Sequence, residues 1–147
     1  MNSSSDPFLL DKQLCFALYA ASLAMSKTYK PHLDKVGLTY PQYLVMLVLW
    51  EQDDRTVSEI GEQLFLDSGT LTPLLKRLET SAYVKRTRDA NDERKVRVAL
   101  TANGKQLKRK LNHVPNELFK ATLCSRKEAT ALTDTLRSLR ENLGSNA

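Results

Sequence analysis

Apolar and polar positions along this chain follow two periods, and the changes between them mark its elements. From Val57 to Leu78 the apolar residues recur at helical spacing. Val57, Ile60, Gly61 and Leu64 form one face, and Leu71, Leu74, Leu75 and Leu78 form a second at i, i+3, i+4, i+7. Thr56 and Glu59 have capping-box spacing, which starts the first of these helices. The break between the two is short, so the pair predicts a helix-turn-helix whose second helix enters the major groove of DNA. Pro73 fits without loss if that helix starts near Thr70, and kinks its first turn otherwise. The period then drops to two. Tyr83 to Arg88 and Val96 to Thr101 are β-prone, and Val96, Val98 and Leu100 alternate with Arg97 and Ala99. The polar run from Asp89 to Lys95 between them reads as a turn. A hairpin after a recognition helix is a wing.

Helical patterns flank this centre. Asp6-Pro7 reads as a cap with Pro at the first helical position, and the helix is expected to run to about Lys30, before Pro31. It carries an apolar stripe (Leu10, Leu14, Leu18, Ala21, Met25) and a second stripe of small or hydrogen-bonding residues (Cys15, Tyr19, Ser22, Ser26, Tyr29). Lys35 to Leu38 is a connector with Gly37. Thr39 and Gln42 form another capping box, and Tyr43 to Trp50 is apolar on every side, which predicts a central buried helix. Glu51 to Arg55 reads as a loop. Beyond the wing, Thr101 caps a helix with Leu107, Leu111 and Val114 on one side, and Pro115 breaks or restarts it. Ser125 and Glu128 open a last helix to about Leu143, with Gly144 at the C′ position. Leu132, Leu136, Leu139 and Leu143 have coiled-coil spacing. The expected fold is mainly α with a small β-hairpin wing. It is a single winged helix-turn-helix domain over 1–147, with dimerisation helices over 6–38 and 102–147 and the DNA-binding region over 39–101.

Composition narrows the partners. The chain has 147 residues, enough for a real core, and a net charge of +5 that favours polyanions. Candidate DNA contacts are Ser68, Thr70, Thr72, Lys76 and Arg77 on the second helix and Arg86, Asp92, Arg94 and Lys95 on the wing. Hydroxyls and basic groups suit phosphates and base edges, and Arg94 or Lys95 suits a narrow minor groove. No apolar run approaches the roughly 18 residues of a membrane span, and residues 1 to 13 do not read as a signal peptide. A cytoplasmic location is expected. There is no CxxC, no Gly-rich phosphate loop and no G-x-S-x-G, so neither zinc, another cofactor nor enzymatic activity is expected.

At the wing, Asp92-Glu93-Arg94 followed by Val96, Val98, Leu100 and Thr101 resembles the signature of the MarR family of winged-helix regulators. Leu14-Cys15-Phe16-Ala17-Leu18-Tyr19, then Tyr29, then Gly37-Leu38-Thr39-Tyr40-Pro41-Gln42-Tyr43 through Trp50-Glu51, resemble its OhrR subgroup more closely. Those proteins are repressors that sense organic hydroperoxides through one cysteine. The similarity spans about 8–101 and is looser towards the C-terminus. It implies a homodimer on a pseudo-palindromic operator in double-stranded DNA, with Cys15 as the sensing thiol and Tyr29 and Tyr40 hydrogen-bonded to it. Tyr19 belongs to the same stripe.

The residues support this chemistry independently. A thiolate attacks a peroxide bond and becomes a sulfenic acid, and phenol donors stabilise a thiolate. Cys15 and Tyr29 are separated by 14 positions, roughly 21 Å along one straight helix, so on such a helix their contact must cross a dimer interface. Cys124 falls between two helices. The resemblance suggests it as a resolving cysteine that joins Cys15 of the other subunit, while a one-cysteine mechanism leaves it a bystander. Two other functions compete: a thiol peroxidase, and a MarR-type regulator relieved by a phenolic ligand.

Overall fold

The computed structural model describes residues 5–145. Its helices are α1 (Leu14–Asp34), α2 (Tyr40–Glu51), α3 (Val57–Leu64), α4 (Ser68–Thr80), α5 (Ala102–Lys110), α6 (Val114–Ala121) and α7 (Arg126–Ser145). Its strands are β1 (Arg55–Thr56), β2 (Val84–Arg88) and β3 (Val96–Leu100). Among the described residues, no helix is long and apolar enough to cross a membrane. Two compact units divide the chain, the first ending at Asn112 and the second starting at His113.

In the first unit α2 is the central element, because it is apolar all round and buries most of that surface, with Leu47 left exposed. Val45, Met46 and Leu49 are fully buried, together with Ile60 of α3, Leu71, Leu75 and Leu78 of α4, Val84 and Val98 of the strands, and Leu107 of α5. Each such side chain contributes about 1.5–3 kcal/mol relative to exposure. Leu74, expected on the same face, is only half-buried. The sheet is antiparallel in the order β1-β3-β2. Arg86 stands opposite Val98 on one side of β3, and Arg55 stands opposite Val98 on the other. The third strand is a correction, since its two residues are too few to show any alternation and read as loop.

Caps decide the helix ends. Thr39 and Gln42 exchange hydrogen bonds as a capping box (3.4 and 2.9 Å), and so do Thr56 and Glu59 (3.1 Å each). In the second unit Ser125 and Glu128 do the same (3.0 and 3.1 Å). The first helix departs from expectation at both ends. Asp6 Oδ1 accepts from the Phe8 N–H (2.9 Å), and the Gln13 side chain donates to the Pro7 and Leu9 carbonyls across a 3₁₀ turn, Leu10–Lys12. Those bonds hold the chain out of the α-helix until Leu14, so Leu10 is not on the helical stripe. At the other end α1 runs through Pro31. The real stop is Gly37 at φ 72°, where Leu38 N–H donates to Leu33 O (3.1 Å) and Gly37 N–H to Asp34 O (3.2 Å). This is a Schellman motif, with Leu33 and Leu38 both buried beside it.

Three further boundaries differ. Helix α4 starts at Ser68, because Asp67 Oδ1 caps it by accepting from the Thr70 N–H (2.7 Å), and Pro73 therefore lies inside the helix. Val114 belongs to α6 and not to the helix capped by Thr101; Pro115 takes its favoured place in the first turn of α6. Gly144 remains within right-handed α7 and forms no left-handed cap.

Candidate functional site

The α4 helix and the hairpin share a cleft of about 310 Å³ whose lining includes Ser68, Thr72, Arg86, Arg94 and Lys95. The fold thus brings five of the expected DNA-facing residues together. Thr70, Lys76 and Arg77 are exposed on α4 outside that lining. The Thr72 hydroxyl donates back to Ser68 O (2.7 Å). Arg86 is ion-paired: its Nη2 and Nε donate to Glu79 Oε1 (3.0 and 3.3 Å), which ties the hairpin to the end of α4. This contact holds the Glu79 carboxyl below its ordinary range.

The wing tip is built from short-range hydrogen bonds. Asp89 Oδ2 accepts from the Asn91 and Asp92 N–H groups (3.0 and 2.9 Å), and Arg88 Nη1 donates to Glu93 O (2.8 Å). Asp92 grips Arg94 through Oδ1 to Nε (3.0 Å) and Oδ2 to Nη2 (3.2 Å), yet the Arg94 side chain remains 90% exposed. Asp92 therefore aims Arg94. Hydrogen bonds from Arg94 lower the Asp92 carboxyl, and the Asn91 N–H is the largest influence lowering that of Asp89. Sequence reasoning missed Glu79, Asp89 and Arg97 here; the only signal was the outward phase of Arg97 on β3.

The second group of residues lies on α1 and α2. Cys15 is a free, exposed thiol in the first turn of α1. Tyr19 is exposed, as are the apolar Leu14, Phe16, Leu23 and Met25, so much of α1 offers uncovered apolar surface. Tyr29 lies near the other end of the same unbroken helix. Its ring centroid is 4.8 Å from that of Tyr40 and 5.5 Å from that of Tyr43, and Tyr43 in turn meets Trp50 at 6.2 Å. Burial, then the neighbouring Tyr40 and Tyr43, push the Tyr29 phenol up to about 12; burial also raises Tyr40 and Tyr43. All three stay protonated near neutrality and can donate hydrogen bonds. Tyr43 was not singled out from the sequence, because the apolar pattern of α2 absorbed it.

Cys124 is a free thiol in the second unit, between α6 and α7, beside Leu123 in the left-handed region (φ 57°). Its N–H donates to Thr122 Oγ1 (3.2 Å). In α7, Leu132, Leu136 and Leu143 are exposed.

Against known proteins, residues 27–111 match the family described as transcriptional regulator SarA/Rot. The chain is 52% identical over 142 residues to the HTH-type transcriptional regulator TtmR of Methylorubrum extorquens, covering 97% of this chain and 73% of that one. It is 46% identical over 143 residues to the organic hydroperoxide resistance transcriptional regulator of Bacillus subtilis, covering 97% of each. AbfR of Staphylococcus epidermidis has been solved in its reduced form bound to DNA; it is 38% identical, with a TM-score of 0.76 over 91% of this chain and 94% of that one. A disulfide form of AbfR superposes with a TM-score of 0.61 at 40% identity, over 88% and 91% of the two chains. These relatives are regulators and not enzymes. With near full-length identity to such proteins and a helix-turn-helix followed by a wing, the chain belongs to the MarR/SarA type of winged-helix transcriptional regulators.

Proposed function

We propose that the protein is a cytoplasmic, homodimeric repressor that releases a pseudo-palindromic operator when an organic hydroperoxide oxidises Cys15. The observation that carries the sensing half is the separation of Cys15 and the Tyr29–Tyr40 pair along one continuous helix. With α1 unbroken from Leu14 to Asp34, Tyr29 cannot reach the Cys15 of its own chain, roughly 21 Å away. The exposed apolar residues of α1 are suited to a second copy, whose phenols would then meet the thiol. The α7 leucines suit the same dimer. The similarity to the Bacillus subtilis regulator supports the choice of oxidant.

For the DNA half, Ser68, Thr70, Thr72, Lys76 and Arg77 of α4 read the major groove and its phosphates. Arg94, aimed by Asp92, enters the minor groove with Lys95 beside it. Arg86 acts by holding the hairpin to Glu79.

Cys124 is the resolving thiol. The Cys15 thiolate takes the distal peroxide oxygen, giving a sulfenic acid and the alcohol. The Cys124 thiol of the other subunit then displaces water and forms the disulfide. Non-reducing electrophoresis after stoichiometric cumene hydroperoxide tests this. A covalent dimer is expected from the parent and from neither Cys15→Ser nor Cys124→Ser. A monomer with only a mixed disulfide at Cys15 would favour the one-cysteine route. Operator release by salicylate instead of the hydroperoxide would replace the sensing reading with a ligand-relieved one.

A further inference from the structure

We propose that Arg97 is a positioning residue for Arg94, bracing the wing against the loop that follows α2 so that the tip arginine is presented in one orientation. The inference rests on the DNA-binding reading above. Each nitrogen of the Arg97 guanidinium donates to an acceptor inside the protein: Nε to Asp54 Oδ1 (2.9 Å), Nη2 to Asp54 O (2.8 Å) and Nη1 to Asp89 Oδ1 (3.2 Å). It lies between two carboxylates, with its side chain 32% exposed against 90% for Arg94. An arginine so engaged is a poor phosphate ligand and a good strut.

The struts are continuous in both directions. Towards the tip, the second oxygen of Asp89 holds the Asn91 and Asp92 N–H groups, and Asp92 holds Arg94. Towards the body, Asp54 sits in the left-handed region (φ 56°), which a non-glycine residue keeps only when its surroundings fix it. Asp53 Oδ1 does so, accepting from the Asp54 N–H (2.7 Å) and from the Leu100 N–H at the end of β3 (2.8 Å). Tyr40 opens α2, and this loop follows its last turn. The wing is therefore referenced to the same helix that carries one of the phenols.

Two measurements separate the brace from the DNA reading. In DNA-free protein, amide hydrogen exchange at Asn91 and Asp92 should speed up in Arg97→Lys and in Asp54→Gly, since lysine has one nitrogen for three contacts and glycine keeps the positive φ while removing the carboxylate that Nε meets. Exchange unchanged in both variants overturns the brace, whatever the protein binds. On operator DNA, Arg97→Lys should weaken binding about tenfold, within the range for residues joined in one hydrogen-bond network. In an Arg94→Ala background the same change should have less than about a twofold effect, because Arg97 acts through Arg94. Additive losses, or a salt dependence shallower by about 0.9 in Arg97→Gln, would make Arg97 a direct phosphate contact and overturn the proposal. If the parent binds no DNA, the functional reading fails while the exchange experiment still decides the brace.

Discussion

The rings of Tyr29 and Tyr40 lie 4.8 Å apart, centroid to centroid, at the end of α1 opposite Cys15. Two protonated phenols held together form a donor pair suited to an incoming thiolate. Tyr29→Phe and Tyr40→Phe should each slow oxidation of Cys15 by cumene hydroperoxide about ten- to a hundred-fold, the kinetic equivalent of one hydrogen bond to a charged group. Operator affinity of the reduced protein should not change. Stopped-flow mass analysis of the thiol checks the rate, and unaltered rates in both variants would remove the phenols from the chemistry.

The same phenols give an alkaline signature. Burial raises Tyr29 from its ordinary value of 10.0 to about 12, so the folded state holds the proton more tightly than the unfolded chain. Its contribution to stability is complete below about pH 10 and is lost as pH rises towards 12. Thermal melts across that window should fall more steeply in the parent than in Tyr29→Phe. Parallel curves for the two proteins would contradict the assignment.

On DNA, three basic residues should separate by role. Arg94→Ala should weaken operator binding by about 1–3 kcal/mol, as for a defined groove contact. Lys76→Ala should reduce the slope of log affinity against log salt by about 0.9, one phosphate's worth. Arg86→Ala should lower the melting temperature more than either, because it leaves Glu79 at the α4–hairpin joint without its partner. Fluorescence anisotropy over a salt series, with melts alongside, distinguishes these outcomes.

Gly104 is fixed by space. A Cβ there would collide with the carbonyl oxygen of Tyr83 and stand 3.2 Å from Leu100 Cδ2. Its own carbonyl accepts from Trp50 Nε1 (2.9 Å), which joins α5 to α2. Gly104→Ala should destabilise the protein by about 1–3 kcal/mol through overpacking. Denaturant unfolding measures it, and a loss under about 0.5 kcal/mol would mean that α5 shifts freely.

The parts legible in the sequence were those written by local chemistry. Three capping boxes, at Thr39, Thr56 and Ser125, start helices where their spacing says they should. The two hairpin strands form within the β-prone runs, although on β3 only Val98 is buried and its neighbours are all half-buried. What escaped was decided across distance or by competition. Gln13 folds back onto Pro7 and Leu9 and delays α1, an option that its neighbours' propensities do not reveal. Pro31 looked like a stop, but the Schellman motif at Gly37 and the burial of Leu33 and Leu38 keep the helix going. Arg97 was named only as a member of the strand alternation, because its partners, Asp54 and Asp89, are 43 and 8 positions away and meet it only in the folded protein. The cysteine and tyrosine candidates were readable as residues; their separation along α1 became definite only with the helix's actual ends.

An uninterrupted α1 has a genetic consequence. If each sensing site takes its thiol from one chain and its phenol from the other, two defective alleles can repair each other. A cell expressing Cys15→Ser together with Tyr29→Phe would form mixed dimers in which one site is wholly intact and the other doubly disabled. Rapid oxidation of one site would return in the mixed dimers although each homodimer alone is deaf or slow, while a site built within a single chain would give no such recovery.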